Sequence, residues 1–475
     1  MIVGSYLIAG VSYLHLYFPP KIIIHKREGA AMKNERVKAV LEVFLYVLIV
    51  ALPLIIVTIL RSTTYVSFLY ELGRSFAMIG VMIILMQGVL AGRYRWFEKF
   101  FGFDIVIRYH KYVAIFGGVL LLAHPVLLAA GSGNWALLYS LEQPVGVLLG
   151  RIALIFIVVN VVLSAFRKGL SLGFERWRLL HDIFAFAIIA LAFVHGLLLG
   201  TDIIGIRFMQ VLWIVIFAVE VGLLIVHLFV RPAVQAKNAY TVSEVTEEGP
   251  GVWTLKMTPP GDKKFDFVPG QFQFITLKRG RGLPEEEHHF TISSSPSETD
   301  HVASTIKELG DFTGTIGETK PGDRAAVHAP FGRFSHVFHP EEKRRTFIAG
   351  GIGITPVMSM LRYMNATGDS TDTVLIYANK TEEQIIFREE LEALEKGSVL
   401  NLRVVHVIEK PGEDWKGYSG FVTRDIIEEY CAEGLDERGF YLVGPDPMSK
   451  AVLGALKEMG VKDKRIHIEV FRFVD

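Results

Sequence analysis

Hydrophobic and polar positions divide the chain into two halves. Up to about residue 230 the apolar residues run together in stretches near 2–18, 39–60, 72–92, 110–130, 145–166, 181–199 and 208–230. A hydrocarbon core about 30 Å thick takes roughly 20 apolar residues in a helix, so these stretches predict transmembrane helices. The stretch 2–18 has no basic region before it and no small-residue cleavage site. It is expected as a retained extra helix beside a six-helix core, not as a signal peptide. From about 238 to 333 short alternating runs, such as 240–245 and 272–277, are punctuated by Gly and Pro. They predict an antiparallel β-barrel. From 344 onward apolar strands (346–349, 374–377, 402–407) alternate with amphipathic helices (356–365, 383–396). That pattern predicts a doubly wound α/β sheet. The expected fold is a multidomain membrane protein: an all-α transmembrane bundle, an antiparallel β-barrel and a doubly wound α/β domain. The expected boundaries are 1–38 for the extra helix and its basic loop, 39–236 for the bundle, 237–340 for the barrel and 341–475 for the α/β domain.

Charge sharpens this division. The 475 residues carry no net charge, yet residues 1–236 hold 20 Lys and Arg against 11 Asp and Glu. The remainder holds 29 against 38, so the halves are +9 and −9. Alternate loops between the apolar stretches hold 14 Lys and Arg, including Lys21 to Lys38, Arg93 to Arg108 and Arg167 to Arg178, while the opposite side holds Arg61, Arg74 and Arg207. The basic side is expected to be cytoplasmic, which places the N-terminus outside and the acidic half inside a plasma membrane. No basic patch is interleaved with aromatics, so nothing points to nucleic acid. No obligate protein partner is visible. The single cysteine, Cys431, excludes an intrachain disulfide and a cysteine-ligated metal centre.

Four histidines within the apolar stretches carry candidate chemistry. His110 and His124 are 14 residues apart in one stretch, and His181 and His195 are 14 apart in another. Fourteen residues span about 21 Å of helix and fall about 40° from a whole number of turns. Each helix therefore presents both imidazoles on one face, one near each leaflet. Two such helices side by side make two stacked histidine pairs, His110 with His181 and His124 with His195. Imidazoles on both axial positions of an iron porphyrin suit electron transfer, and an ionisable residue inside a span is a functional candidate. Arg74 and Arg151 lie toward the outer side, where either can meet a haem propionate or snorkel to the interface. Glu220 lies mid-span, where a hydrogen bond to a neighbouring helix is the expected role and a proton route the alternative.

In the soluble half, residues 349–356 read AGGIGITP where a strand runs into a helix. Gly351 and Gly353 allow the backbone to approach a pyrophosphate at the helix N-terminus. Four more motifs accompany it: FVPGQ at 267–271, HHFTISSSP at 288–296, GDFT at 310–313 and GPDPM at 444–448. In this order they resemble the ferredoxin–NADP reductase family over nearly all of 238–475. The resemblance implies an FAD site and a nucleotide site. In it His288 takes the place of the cationic residue near the flavin diphosphate, Phe290 packs on the isoalloxazine and Thr291 bonds near flavin N5. Gly310 and Thr313 line the diphosphate. Gly351, Gly353, Thr355 and Pro356 cradle the nicotinamide dinucleotide, and Gly444, Pro445 and Met448 close over it. His289 stands where membrane relatives usually have Pro. Phe473, near the C-terminus, occupies the place of the aromatic that shelves the flavin face, with Phe471 expected to pack into the sheet.

Joined to the membrane half, the chain resembles the ferric reductase and NADPH oxidase superfamily from about residue 39 to the end. That resemblance implies electron transfer from cytoplasmic NAD(P)H through FAD and two b-type haems to an extracytoplasmic acceptor. Two acceptors fit: ferric iron held by a chelator, and oxygen reduced to superoxide. Oxygen-reducing relatives often carry a further histidine one turn beyond the outer ligand; Leu128 stands there, which favours ferric iron. A membrane-tethered flavin reductase without haem is the alternative from another class. No acid follows the strand 374–377 directly, and Lys380 is placed to meet a 2′-phosphate, so NADPH is expected over NADH.

Overall fold

The computed structural model describes residues 30–60, 65–93, 103–167, 169–261 and 264–469. The apolar stretch 2–18 and the tail residues Phe471 and Phe473 lie outside the described residues. Six helices follow in order: α1 (Ala30–Leu60), α2 (Phe68–Ala91), α3 (Phe103–Ser132), α4 (Val145–Ala165), α5 (Phe174–Leu199) and α6 (Arg207–Ile225). All six are long and apolar enough to cross a membrane. Their outward faces are apolar, as at Phe44, Ile59, Val119, Ile155 and Val211, which suits contact with lipid.

The helices outrun the apolar stretches. α3 begins seven residues before His110, and α5 seven before His181. Hydropathy marks where hydrocarbon ends, whereas a helix stops where its end groups find other partners. Charged residues such as Arg108, Arg176 and Arg178 extend both helices beyond the apolar window. α6 likewise runs on through a π-helical turn, Val226–Val230, into Arg231–Lys237. Pro232 sits at the start of that last segment, where a missing N–H is tolerated.

Within the bundle α2 packs along α3 and α4 along α5, while α3 and α5 make no comparable approach to each other. Glycines set the first contact: a Cβ on Gly117 would lie 2.6 Å from Ile83 Cγ2, and one on Gly80 2.8 Å from Leu121 Cγ. Without a hydrophobic drive between helices in lipid, such close backbone approach is what packs them. Ser67 caps α2 by accepting from Tyr70 N–H at 3.2 Å and donates to the Gly131 carbonyl at 2.9 Å. This ties the start of α2 to the end of α3.

The soluble half contains two sheets. The first comprises β1 (Tyr240–Gly249), β2 (Val252–Thr258), β3 (Phe272–Lys278), β4 (Glu287–Thr291), β5 (Val302–Lys307) and β6 (Arg324–Phe331). All its pairings are antiparallel, in the order β4-β3-β6-β1-β2-β5. Its edges meet where Ser293 N–H donates to the Ala303 carbonyl at 2.8 Å, around a core that includes Leu255, Met257, Ile275 and Leu277.

The second sheet holds β7 (Arg344–Gly350), β8 (Asp372–Asn379), β9 (Leu402–Ile408), β10 (Tyr418–Ser419), β11 (Arg438–Val443) and β12 (Ile466–Glu469). It is parallel, in the order β10-β9-β8-β7-β11-β12. Helices α7 (Ile354–Thr367) and α8 (Arg388–Lys396) cover one face through Val357, Leu361 and Leu391. Helices α9 (Arg424–Cys431) and α10 (Asp446–Glu458) cover the other through Ile427, Val452 and Leu456. Phe347 and Tyr441 point to the first core, Ile348 and Phe440 to the second, as the two-residue period of strands requires. The helix expected over 383–396 starts later, at Arg388. Phe387 takes a left-handed φ of 59° and is buried, so the chain turns there before the helix begins.

Candidate functional site

The four intramembrane histidines come together as two facing pairs. His110 and His181 have ring centroids 6.2 Å apart, and His124 and His195 6.4 Å apart. Three rings are aimed by a hydrogen bond at Nδ1. His124 Nδ1 bonds the Gly73 carbonyl at 2.9 Å, and His195 Nδ1 the Gly146 carbonyl at 2.8 Å. His181 Nδ1 bonds Asn160 Oδ1 at 2.9 Å. A carbonyl oxygen cannot donate, so Nδ1 must carry the proton and the Nε2 lone pair is left facing the partner ring. His110 Nδ1 makes no such bond, with the Gln87 backbone beside it.

These distances suit one metal ion between the two rings of each pair. An imidazole nitrogen sits about 2.0 Å from a first-row metal and about 1.2 Å from its own ring centre, which predicts centroids about 6.4 Å apart. Carbonyl- or amide-oriented imidazoles are the usual second layer of such sites. The residues present therefore fit bis-histidine iron in both positions.

Arg74 and Arg151 both have protein partners. Arg74 follows Gly73, the residue that orients His124, and forms a close ion pair with buried Asp202. It also donates to Thr201 Oγ1 at 3.0 Å. Arg151 donates to the carbonyls of Ala136, Leu137 and Ser140, which fastens the loop between α3 and α4. Glu220 is buried on α6 beside Gly88, and its Oε2 finds no hydrogen-bond partner. The hydrogen bond expected to a neighbouring helix is not formed at that oxygen.

In the barrel, β4 alternates. His288 and Phe290 share a side with Phe312, His288 stacking on it at 4.2 Å and Phe290 lying parallel at 6.4 Å. His288 Nε2 also bonds Glu286 at 2.9 Å. Thr291 is buried, and its carbonyl accepts from Ser304 Oγ at 2.8 Å. Gly310 and Thr313 form an exposed turn in which Thr313 Oγ1 accepts from the N–H groups of Leu309 and Gly310. A Cβ on Gly310 would meet nothing, so the turn opens onto free space.

The nucleotide motifs converge where strand order reverses, between β7 and β11. Ligands of open α/β sheets bind in the crevice at such a switch point. Gly351 has φ of 54°, which side chains rarely adopt, and open space above it. A Cβ on Gly444 would lie 2.6 Å from Met448 Cε and 3.1 Å from Gly350 N. Thr355 and Pro356 are buried in the first turn of α7, Thr355 Oγ1 donating to the Ile352 carbonyl at 3.1 Å. Pro445 starts α10.

A shallow recess opens beside Gly351, lined by Ile352, Asn379 and Gln384 and, from the barrel side, by Val252 and Lys307. Asn379 is buried there, with neither amide atom hydrogen-bonded. Such orphaned donors and acceptors fit a polar ligand in the recess. Lys380, the residue chosen from sequence, is exposed immediately after it. Asn379 was missed because an acid was sought at the strand end; an amide in that place was the available signal.

Across the domains, Arg362 of α7 donates to the Ser293 carbonyl at 2.6 Å while holding Glu390 with two bonds, and Ser359 Oγ donates to the Ser294 carbonyl at 2.7 Å. These contacts fix the serine run after β4 against the nucleotide sheet. Sequence reading also missed a group formed by His339, Glu342 and His467. There His467 Nε2 and the Tyr441 hydroxyl bond Glu342 at 2.7 and 2.5 Å, and Arg465 lies 4.0 Å away. The two imidazoles stack at 3.8 Å, so their in-plane lone pairs do not converge on one ion, and arginine already supplies positive charge. This group is a structural network.

Comparison with known proteins covers both halves. Residues 76–192 match the family described as ferric reductase like transmembrane component, and residues 347–453 match the oxidoreductase NAD-binding domain. A stachydrine N-demethylase reductase subunit of Rhizobium meliloti is 32% identical over 231 residues, 48% of this chain and 64% of that protein. A glycine betaine monooxygenase reductase subunit of Pseudomonas aeruginosa is 34% identical over 213 residues, 44% of this chain and 57% of that one. The chain thus spans about three fifths of the length of these two relatives. NADH-cytochrome b5 reductase 1 of Dictyostelium discoideum is 30% identical over 198 residues, 41% of this chain and 68% of that protein.

Proposed function

Because the chain belongs to the ferric reductase and NADPH oxidase superfamily, joining a ferric-reductase-like transmembrane component to a ferredoxin–NADP reductase-like dehydrogenase, we propose that it is a transmembrane ferric-chelate reductase. In this reading it uses cytoplasmic NADPH, FAD and two b-type haems to reduce an acceptor on the far side of the plasma membrane. The observation that carries the reading is the pair of histidine pairs, each at the separation one iron requires. Haem held by the histidine pairs would supply a one-electron carrier, and FAD held by the barrel would supply an acceptor for a hydride's two electrons.

The chain's own residues hold and orient. His110 and His181 bind the inner group, His124 and His195 the outer. Asn160 and the Gly73 and Gly146 carbonyls hold three of the imidazoles in the ligating tautomer. Arg74, held at the level of His124 by its ion pair with Asp202, offers guanidinium N–H donors at the outer site. Phe290, Thr291 and His288 face the flavin, with Gly310 and Thr313 toward its diphosphate. Gly351, Gly353, Thr355 and Pro356 receive the nucleotide, and Gly444, Pro445 and Met448 wall the crevice. Asn379 satisfies its amide on the nucleotide, and Lys380 meets a 2′-phosphate. Leu128 offers no proton donor beyond the outer pair, which favours ferric iron over oxygen.

The test is an absorbance spectrum of membranes holding the full chain, before and after NADPH. A reduced b-type band, with reduction of an impermeant ferric chelate outside, is expected. Full NADPH-driven reduction with no haem band would instead make the helices a tether for a flavin reductase.

A further inference from the structure

We propose that Arg93, Arg178 and Glu287, with Phe103 in an aromatic socket, form the latch that docks the barrel beneath the inner histidine pair and sets the rate at which electrons leave the flavin domain. The rate part rests on the di-haem reading above. Arg93, just past α2, donates to Glu287 Oε2 at 2.7 Å. Arg178, on α5, lies 3.6 Å from the same oxygen. The Arg93 guanidinium also sits 3.8 Å above the centre of the Phe274 ring. Beside it Phe103, the first residue of α3, packs with its ring centre 5.4 Å from Phe274 and 6.2 Å from both Phe272 and Phe331. All four phenylalanines are buried.

The latch joins the elements that matter on both sides. Phe103 lies seven residues before His110, about 10.5 Å along α3 and within about 20° of the same face. Arg178 lies one turn before His181. On the barrel side Glu287 begins β4, the strand that ends at Thr291, four residues or about 14 Å away. His289, where membrane relatives have Pro, projects to the latch side, 6.0 Å from Phe272 and 6.1 Å from Phe274. Glu287 is one carboxylate shared by two arginines, one just past α2 and one on α5. Without it two guanidiniums, both on the membrane half, lose the barrel carboxylate that they share. A desolvated charge contact of this kind fixes register between surfaces more than it adds affinity. Arg93, Arg178 and Glu287 are positioning residues: they touch no reacting atom. Per NADPH, two electrons leave the flavin singly for two ferric ions, and the hydride's proton is released.

The experiment compares the full chain in nanodiscs with Glu287→Arg, Arg93→Glu, the doubly reversed variant and the milder Glu287→Gln, each checked for flavin content. Stopped-flow absorbance separates flavin reduction by NADPH from the following rise of the reduced b-type band. Amide hydrogen exchange is followed at the start of α3. In the single reversals flavin reduction should keep its rate, the second phase should slow about ten- to a hundredfold, and exchange near Phe103 should rise. The double reversal should recover much of both, which loss of folding would not allow. Wild-type second-phase rates and exchange in the single variants, or no recovery in the double, would overturn the latch. If the wild type has no b-type band, the di-haem reading falls, and exchange alone judges the docking: raised in Glu287→Arg and recovered in the double supports it, unchanged rejects it.

Discussion

Asn160→Leu isolates the support of one histidine. Asn160 is buried on α4, and its Oδ1 accepts from His181 Nδ1–H at 2.9 Å. Leucine keeps the side-chain volume and removes the acceptor. A buried donor left unsatisfied costs about 1–3 kcal/mol, and most of that cost falls on the ligating tautomer and orientation. At about 1.4 kcal/mol per decade this weakens inner-site haem binding roughly five- to 140-fold, which brackets the about ten- to hundredfold lost with second-layer partners of metal ligands. The outer pair is insulated, because its partners are the backbone carbonyls of Gly73 and Gly146. The assay is haem per flavin in purified protein, with a redox titration that resolves the two haems. Asn160→Leu should lose inner haem on dilution while the outer midpoint stays put. Asn160→Asp, with a charged acceptor, should retain both haems and move only the inner midpoint downward. Equal effects on both haems, or none on either, would refute the assignment of Asn160 to the inner site.

Further outcomes follow from other sites. His124→Leu or His195→Leu should remove the outer haem alone and stop reduction of an external acceptor, while flavin reduction by NADPH continues; full transmembrane activity would contradict the pairing. Lys380→Ala should raise KM for NADPH about ten- to a hundredfold and hardly affect NADH, as expected for a lost contact of about 1.5–3 kcal/mol to an ionised group, whereas Asn379→Ala should weaken both nucleotides alike. Burial, then the charge of Arg345, pushes the His336 imidazole down to about 3. The unfolded chain therefore binds the extra proton first, so stability present above about pH 6.5 is lost as pH falls toward 3. Thermal unfolding of the full chain should show about 2 kcal/mol more loss between pH 7 and 5 than in His336→Phe, and parallel curves would exclude that role.

What the sequence carried was periodicity and local chemistry. The repeated spacing of 14 between histidines needed only helix geometry, and the structure brings those four residues into two pairs. The AGGIGITP and GPDPM motifs meet at the strand-order reversal because glycine demand is written locally. Contacts between distant segments were not legible. Glu287 reads as one of three acids before a strand, and only folding sets it between Arg93 and Arg178. Its carboxyl is pushed up by burial but, against that, pulled down by Arg93, Arg178 and His227, with a net fall below the usual range. Helix ends were missed for a different reason: hydropathy reports solvent, and α3 and α5 continue past it. The partners of Arg151 were hidden because backbone carbonyls leave no mark in a sequence.

The way α6 leaves the bundle has a mechanical consequence. Its last helical segment ends at Lys237 and β1 begins at Tyr240, so only Asn238 and buried Ala239 separate the two. The barrel is mounted on an axle with almost no slack. Any twist of α6 about its own axis is delivered to the barrel as torque, and one residue inserted in that helix would turn its far end by about 100° and advance it by about 1.5 Å. Length and phase of this segment are therefore part of the gearing between the two halves, and a flexible spacer placed there would free the barrel from the angle at which α6 presents it.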